Sequence, residues 1–262
     1  MSWLKDAVLY HIFIDRFNGN FKGDPSKPEF VGGNVQGIIK KLNYIKKLGV
    51  NTVWISPFYE TSAYHGYHIT DYYKVDKHFG NLEDLKKLID KVHKKDMKLV
   101  VDFVPNHCSN KHPFFLKARR SKKSEYRKWF YFQNNNEYLS FLDIKELPKF
   151  NLDCQEARDY IVDAAKYWLG LGIDGFRIDH AIGPSHDFWK HFSTSIKDEY
   201  PNSVLFGEVC EDHFSFKYLK TIKTKNKYLK WLLKPGQDSY LREYITEFDG
   251  VIDFEFNSLM KQ

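Results

Sequence analysis

Short apolar runs alternate along the chain with longer stretches in which apolar residues recur every three or four positions. The runs at 8–14, 52–56, 98–103, 175–178, 204–206 and 250–254 are rich in β-branched and aromatic residues, and most are apolar nearly throughout. That pattern predicts parallel strands buried on both faces. Between them, Ile38, Leu42, Ile45 and Leu48 trace a helical stripe that stops at Gly49. Leu82, Leu85, Ile89 and Val92 trace a second, behind Asn81 as N-cap and with Asp84 in the first turn. Ile161, Ala164, Ala165, Trp168 and Leu169 form a third, ending near Gly170 and Gly172, and Phe188, Phe192 and Ile196 a fourth, ending before Pro201. Repeated strand–helix units imply parallel strands joined by right-handed crossovers. The rhythm breaks from 108 to 148, where HPFFLKARRSKKSEYRKWFYFQNNN is dense in charge and aromatic rings. This segment reads as an excursion at the carboxyl end of the third strand, where insertions in α/β barrels shape the site.

Composition narrows the picture. A chain of 262 residues, 42% hydrophobic, can bury a large α/β core. Aromatic residues reach 17%; flat rings suit carbohydrate stacking, although most are assigned to the core. The formal net charge of +6 owes much to the lysines between 217 and 234, read as a solvated helix and loop. No nucleic-acid recognition motif accompanies them, so no nucleic-acid partner is expected. Cys108, Cys154 and Cys210 are odd in number, widely spaced and without metal-site spacing, which predicts reduced thiols in a cytoplasmic protein. The opening MSWLKDAVLYHIFIDRF is interrupted by Lys5, Asp6 and Asp15 and does not read as a signal peptide. No apolar stretch approaches the ~20 residues that span a bilayer, so no membrane partner is expected.

Polar residues gather where the strand candidates end. The third ends at Asp102, followed by Asn106 and His107; the fourth ends in Arg177, Asp179 and His180; the fifth ends at Glu208. Side chains two apart on a strand point the same way, so Arg177 and Asp179 share a side. Two strand-end carboxylates, one with an arginine beside it, are what double-displacement glycoside hydrolysis requires. An Arg–Asp pair alone is more often a structural ion pair. Asp102 reads as a structural hydrogen-bonding residue.

DFVPNH at 102–107, GFRIDHA at 175–181 and FGEV at 206–209 resemble, in order, the first three conserved regions of the α-amylase family of glycoside hydrolases. LPKFN at 147–151 resembles that family's additional short motif, in its neopullulanase and cyclodextrinase form, and AYHGY at 63–67 resembles the loop after the second strand in endo-acting members. The resemblance implies a (β/α)8 TIM barrel with a short B domain after the third strand. It divides the chain into barrel residues 1–107, a B domain at 108–148 and further barrel at 149–262. It implies hydrolysis of α-glucosidic bonds in starch, glycogen or maltooligosaccharides with net retention. Asp179 would be the nucleophile, Glu208 the general acid and then base with a raised pKa, and Arg177 the cation that keeps Asp179 ionised. His107 would donate to a sugar hydroxyl, Tyr67 would be a stacking platform, His65 would contact substrate and His180 would line the next subsite. The resemblance also implies a candidate calcium site with Asn106 and Asn151 as ligands; where the family often has a third ligand, a histidine, this chain has Gly183.

One element of the family pattern is missing. The histidine–aspartate motif after the seventh strand, which carries a third carboxylate, is not found; His186-Asp187 precedes the fifth strand and opens a helix. The barrel is therefore expected to be truncated after about six strands, with two open edges through which an oligomer could form. Weak or absent turnover of maltooligosaccharides by the chain as given is the corresponding expectation. A non-catalytic glucan-binding fragment is the alternative from another class, and an α-glucan transglycosylase the alternative within the same chemistry.

Overall fold

The computed structural model describes residues 2–209 and 243–252. The elements run β1 Leu9–Ile12, α1 Ile14–Phe17, α2 Val35–Lys47, β2 Thr52–Ile55, β3 Tyr59–Thr61, β4 Ile69–Val75, α3 Leu82–His93 and β5 Lys98–Phe103. They continue α4 Pro113–Arg120, α5 Gln155–Gly170, β6 Gly175–Ile178, α6 His186–Glu199, β7 Val204–Gly207 and β8 Gly250–Val251. Strands β1, β2, β5, β6, β7 and β8 are hydrogen-bonded in that order, every pair parallel. Chain order equals spatial order, so the sheet curls as six successive strands of a (β/α)8 barrel. The lysine-rich segment at 217–234, Cys210 and the end of the strand expected at 250–254 lie outside the described residues. Among the described residues no helix is long and apolar enough to cross a membrane.

Why these segments fold as they do follows from their patterns. Strands β5, β6 and β7 are buried almost throughout, as strands covered by helices on one side and by the barrel interior on the other must be. Helix α2 buries Val35, Ile38, Leu42 and Ile45 beneath an Asn34 cap that accepts from the Gly37 amide. Leu48 departs from its expected place in that stripe: it is the C-cap residue and is 50% exposed, because the helix ends before another turn can carry it inward. Helix α3 opens on a reciprocal capping box between Asn81 and Asp84. Helix α6 begins at His186, capped by Ser185.

Two features were not expected. The first strand stops at Ile12, and Ile14 begins the one-turn α1. The segment after β2 folds into an antiparallel pair, β3 with β4, separate from the main sheet. Tyr59 and Tyr72 on this pair are fully buried, and Tyr72 donates to the carbonyls of Val104 and His107, tying it to the end of β5. The inserted segment carries its own aromatic cluster, in which Phe115 packs edge-on against Phe130 and Tyr138, and Phe130 stacks on Phe150.

Candidate active site

The carboxyl ends of β5, β6 and β7 converge on one guanidinium. Parallel register sets Asp102 beside Arg177, and Asp179 and Glu208 follow one residue beyond β6 and β7. The Arg177 Nη1 group donates to Asp102 Oδ1 at 2.5 Å and to Asp179 Oδ1 at 2.9 Å, and Nη2 pairs with Glu208 Oε1. Asp102 is fully buried, and its other oxygen accepts from Trp54 Nε1 at 3.1 Å and Tyr67 Oη at 3.2 Å. Trp54 lies with its ring 5.5 Å from the guanidinium carbon and stacks on His11 at 4.0 Å, so β1 and β2 also contribute to the seat of Arg177.

Glu208 is held from a second direction. Its Oε2 accepts from the His180 backbone N–H at 3.0 Å. His180 has φ of 45°, a left-handed conformation uncommon outside glycine, and this turn is what aims its N–H at the carboxylate.

Three carboxylates around one cation cannot all ionise cheaply in a buried place. Burial raises the Asp179 carboxyl; Arg177 opposes the shift, while Glu208 and Asp102 add to it as like charges. Asp102 is pushed up to about 6 by burial, against the charge and hydrogen bonds of Arg177 and the Trp54 hydrogen bond. Arg177 thus acts in the expected direction on Asp179, but burial and two acidic neighbours outweigh it. Asp102 and Asp179 are both raised, so this pair retains a proton towards neutral pH.

The sugar-contact candidates are arranged unequally. Gly66 has φ of +88°, and a Cβ there would sit 2.2 Å from the Pro57 carbonyl, so AYHGY turns tightly only with glycine at this position. Beyond that turn Tyr67 points its hydroxyl at Asp102, and the His65 ring stacks on Tyr67 at 5.8 Å. Burial holds His65 down to about 4 and His180 to about 3, so both are neutral imidazoles at physiological pH, able to give and take hydrogen bonds with hydroxyls.

His107, the expected donor to a sugar hydroxyl, is enclosed. It is 1% exposed, its Nε2 has no hydrogen-bond partner, and Phe141 stacks over it at 4.6 Å. Phe141 also meets the His180 ring edge-on at 4.7 Å. The two residues after Phe141, Leu142 and Asp143, both have positive φ, a strained turn that presents the ring of the inserted segment to the barrel. Phe141→Ala is expected to raise the rate at which diethyl pyrocarbonate acylates His107 several-fold, read by peptide mass spectrometry. An unchanged rate would show that Phe141 does not cover it.

The calcium candidates can be tested on their donors. Asn106 Oδ1 and Asn151 Oδ1 are buried without partners, as ligands awaiting an ion would be. Against this, Lys149 Nζ donates to the Gly183 carbonyl at 2.7 Å, and no cluster of three or more His, Cys, Asp or Glu suited to a metal occurs among the described residues. Calcium sites draw their affinity from carboxylates. Here the donors are two amide oxygens and one carbonyl, and that carbonyl already accepts from an ammonium. At ~4 Å and an effective dielectric of ~20, a divalent ion and an ammonium repel by about 8 kcal/mol. The residues present do not fit a divalent cation.

Sequence reasoning did not find Trp54, His11, Phe141 or Lys149 as site residues. Trp54 and His11 had a signal in principle, since both carry a ring nitrogen within largely apolar runs.

A model described as alpha amylase, catalytic domain, matches residues 11–137 and 129–259. The chain belongs to the alpha-amylase family. Among its relatives, Alpha-amylase 2 of Dictyoglomus thermophilum is 41% identical over 256 residues, spanning 96% of this chain and 41% of the relative. A cyclomaltodextrinase of a Bacillus species is 34% identical over 233 residues, 80% of this chain and 42% of the relative. Among solved structures, the cyclic alpha-maltosyl-(1-->6)-maltose hydrolase of Arthrobacter globiformis in complex with maltose superposes with a TM-score of 0.76 at 32% identity, over 80% of this chain and 52% of that one. The chain therefore spans about two fifths to one half of the length of these alpha-amylase family relatives.

Proposed function

We propose that this chain carries the nucleophile and the acid/base of a retaining α-glucan hydrolase. The observation that supports it most is the shared guanidinium: Arg177 holds Asp179 with one terminal nitrogen and Glu208 with the other. Retaining glycosidases place their two carboxyls about 5–5.5 Å apart, close enough for one to attack the anomeric carbon while the other serves the leaving oxygen. In this reading Asp179 attacks, Glu208 gives its proton to the glycosidic oxygen, and water then attacks with Glu208 as base. Glu208 is ion-paired in the free protein, so it can act as the acid only after substrate entry has drawn it from Arg177 and the proton held by the raised Asp102 and Asp179 carboxyls has passed to it, which leaves an ionised Asp179 beside the cation. A sugar hydroxyl in place of water gives transglycosylation by the same steps. A cytoplasmic setting accords with the free thiols of Cys108 and Cys154.

The test follows the anomer. The full-length protein is mixed with maltoheptaose and the first product is read by proton NMR before mutarotation. The α-anomer is expected. An initial β-anomer would contradict the retaining assignment, and binding without turnover would favour the glucan-binding alternative.

A further inference from the structure

Three pieces of chain meet beside the site: the end of β5 at Asn106 and His107, the end of the inserted segment at Lys149 to Asn151, and the turn after β6 at His180 to Gly183. Backbone hydrogen bonds join the first two, with His107 bridged to Lys149 and the Phe150 N–H donating to the Asn106 carbonyl at 3.0 Å. Nothing of that kind joins them to the turn. The contact is made instead by Lys149, whose Nζ donates to the Gly183 carbonyl at 2.7 Å. The approach is close: a Cβ on Gly183 would sit 2.1 Å from Asn106 Oδ1.

We infer that Lys149 is a positioning residue, a built-in cation that fastens the 180–183 turn to the inserted segment where a metal ion would otherwise be needed. An ammonium has three N–H groups, and the Gly183 carbonyl takes one. The unpartnered buried acceptors flanking it are Asn106 Oδ1, packed against Gly183, and Asn151 Oδ1, two residues along the chain from Lys149. Neither oxygen accepts from the lysine or from any other group, so the fastening is the one hydrogen bond of the ammonium to the Gly183 carbonyl. The consequence reaches the acid/base candidate. The Gly183 N–H donates to the His180 carbonyl at 3.0 Å, and His180 donates to Glu208 Oε2. Fixing Gly183 fixes the turn whose N–H aims Glu208.

The experiment uses the full-length protein and three variants, with terbium luminescence, melting temperature and maltooligosaccharide kinetics as readouts. Terbium is expected to give no sensitised signal that Asn106→Ala removes. Lys149→Met is expected to melt several degrees lower and to lose at least tenfold in kcat with a smaller change in KM, and calcium is not expected to restore it. Lys149→Asp replaces the ammonium with a carboxylate at this junction, and its melting temperature is expected to rise with calcium. A terbium signal in the unaltered protein that Asn106→Ala abolishes would overturn the inference. So would a Lys149→Met protein with unchanged melting and kcat. If either lysine variant fails to fold, the terbium comparison decides alone. The melting and terbium arms do not depend on the hydrolase reading, so failure of that reading would appear only as absent turnover in the unaltered protein.

Discussion

Asp179→Asn in the full-length protein is expected to lose maltooligosaccharide turnover by ~10⁴-fold or more while raising the melting temperature at alkaline pH. The two effects share one cause. Asp179 is buried against Asp102 and Glu208 with one guanidinium among three acids, an arrangement that serves ionic chemistry and costs stability. The sign follows from the direction of the shifts. A carboxyl whose folded pKa is raised contributes stability below its unfolded pKa, near 3.8, and that contribution is lost as pH rises through the folded value, about 6 for Asp102. Asp179 is raised as well, so the unaltered protein loses stability from about pH 4 upward. The asparagine variant escapes part of that loss. Its advantage is expected to be small at pH 4 and to grow to about 2–8 °C by pH 8, from ~1–2 kcal/mol at ~2–4 °C per kcal/mol. Melting scans across that range are the check; a destabilised variant at pH 8 would show that the acids are not in mutual conflict.

Arg177→Met is expected to be the most damaging single substitution in the site. It leaves Asp102, Asp179 and Glu208 without their common partner, and breaking a buried ion pair by removing one member costs about 3–5 kcal/mol. The loss is electrostatic, so it is expected to reverse with acid: below about pH 4 Asp102 and Asp179, whose carboxyls are raised by burial, are protonated and no longer need the cation. Recovery of native circular dichroism on acidification is the expected result. A variant equally unfolded at pH 4 and pH 8 would assign the loss to packing on Trp54 instead. Arg177→Lys keeps the charge but not the fork that reaches separate carboxylates through Nη1 and Nη2, and is expected to fall between the two.

What could be read from the chain was the part governed by local rules. Strands β2, β5, β6 and β7 were legible because burial on both faces writes itself as an apolar run, and helices α2, α3, α5 and α6 because one buried face recurs every three to four residues. Caps such as Asn81 were legible because few side chains can satisfy an orphan N–H. The β3–β4 pair was hidden because Tyr59–Thr61 is too short to show alternation and its partner mixes Asp71 and Lys74 with the buried Ile69 and Tyr72. Asp179, Glu208 and Arg177 were legible from their position after apolar runs. Their crowding around one guanidinium was not, because it depends on register between strands far apart in sequence. Phe141 and Lys149 act across the junction of insertion and barrel, and no local pattern announces such contacts.

The central claim is that Asp179 forms a glycosyl–enzyme bond which Glu208 helps to make and break. Treating the full-length protein with an activated fluorosugar that slows release of the intermediate, then mapping the adduct by peptide mass spectrometry, tests it most directly. The account predicts one glycosyl unit on Asp179, absent from the Asp179→Asn protein. Turnover of maltooligosaccharides with no adduct, or an adduct on Glu208 in its place, would contradict it.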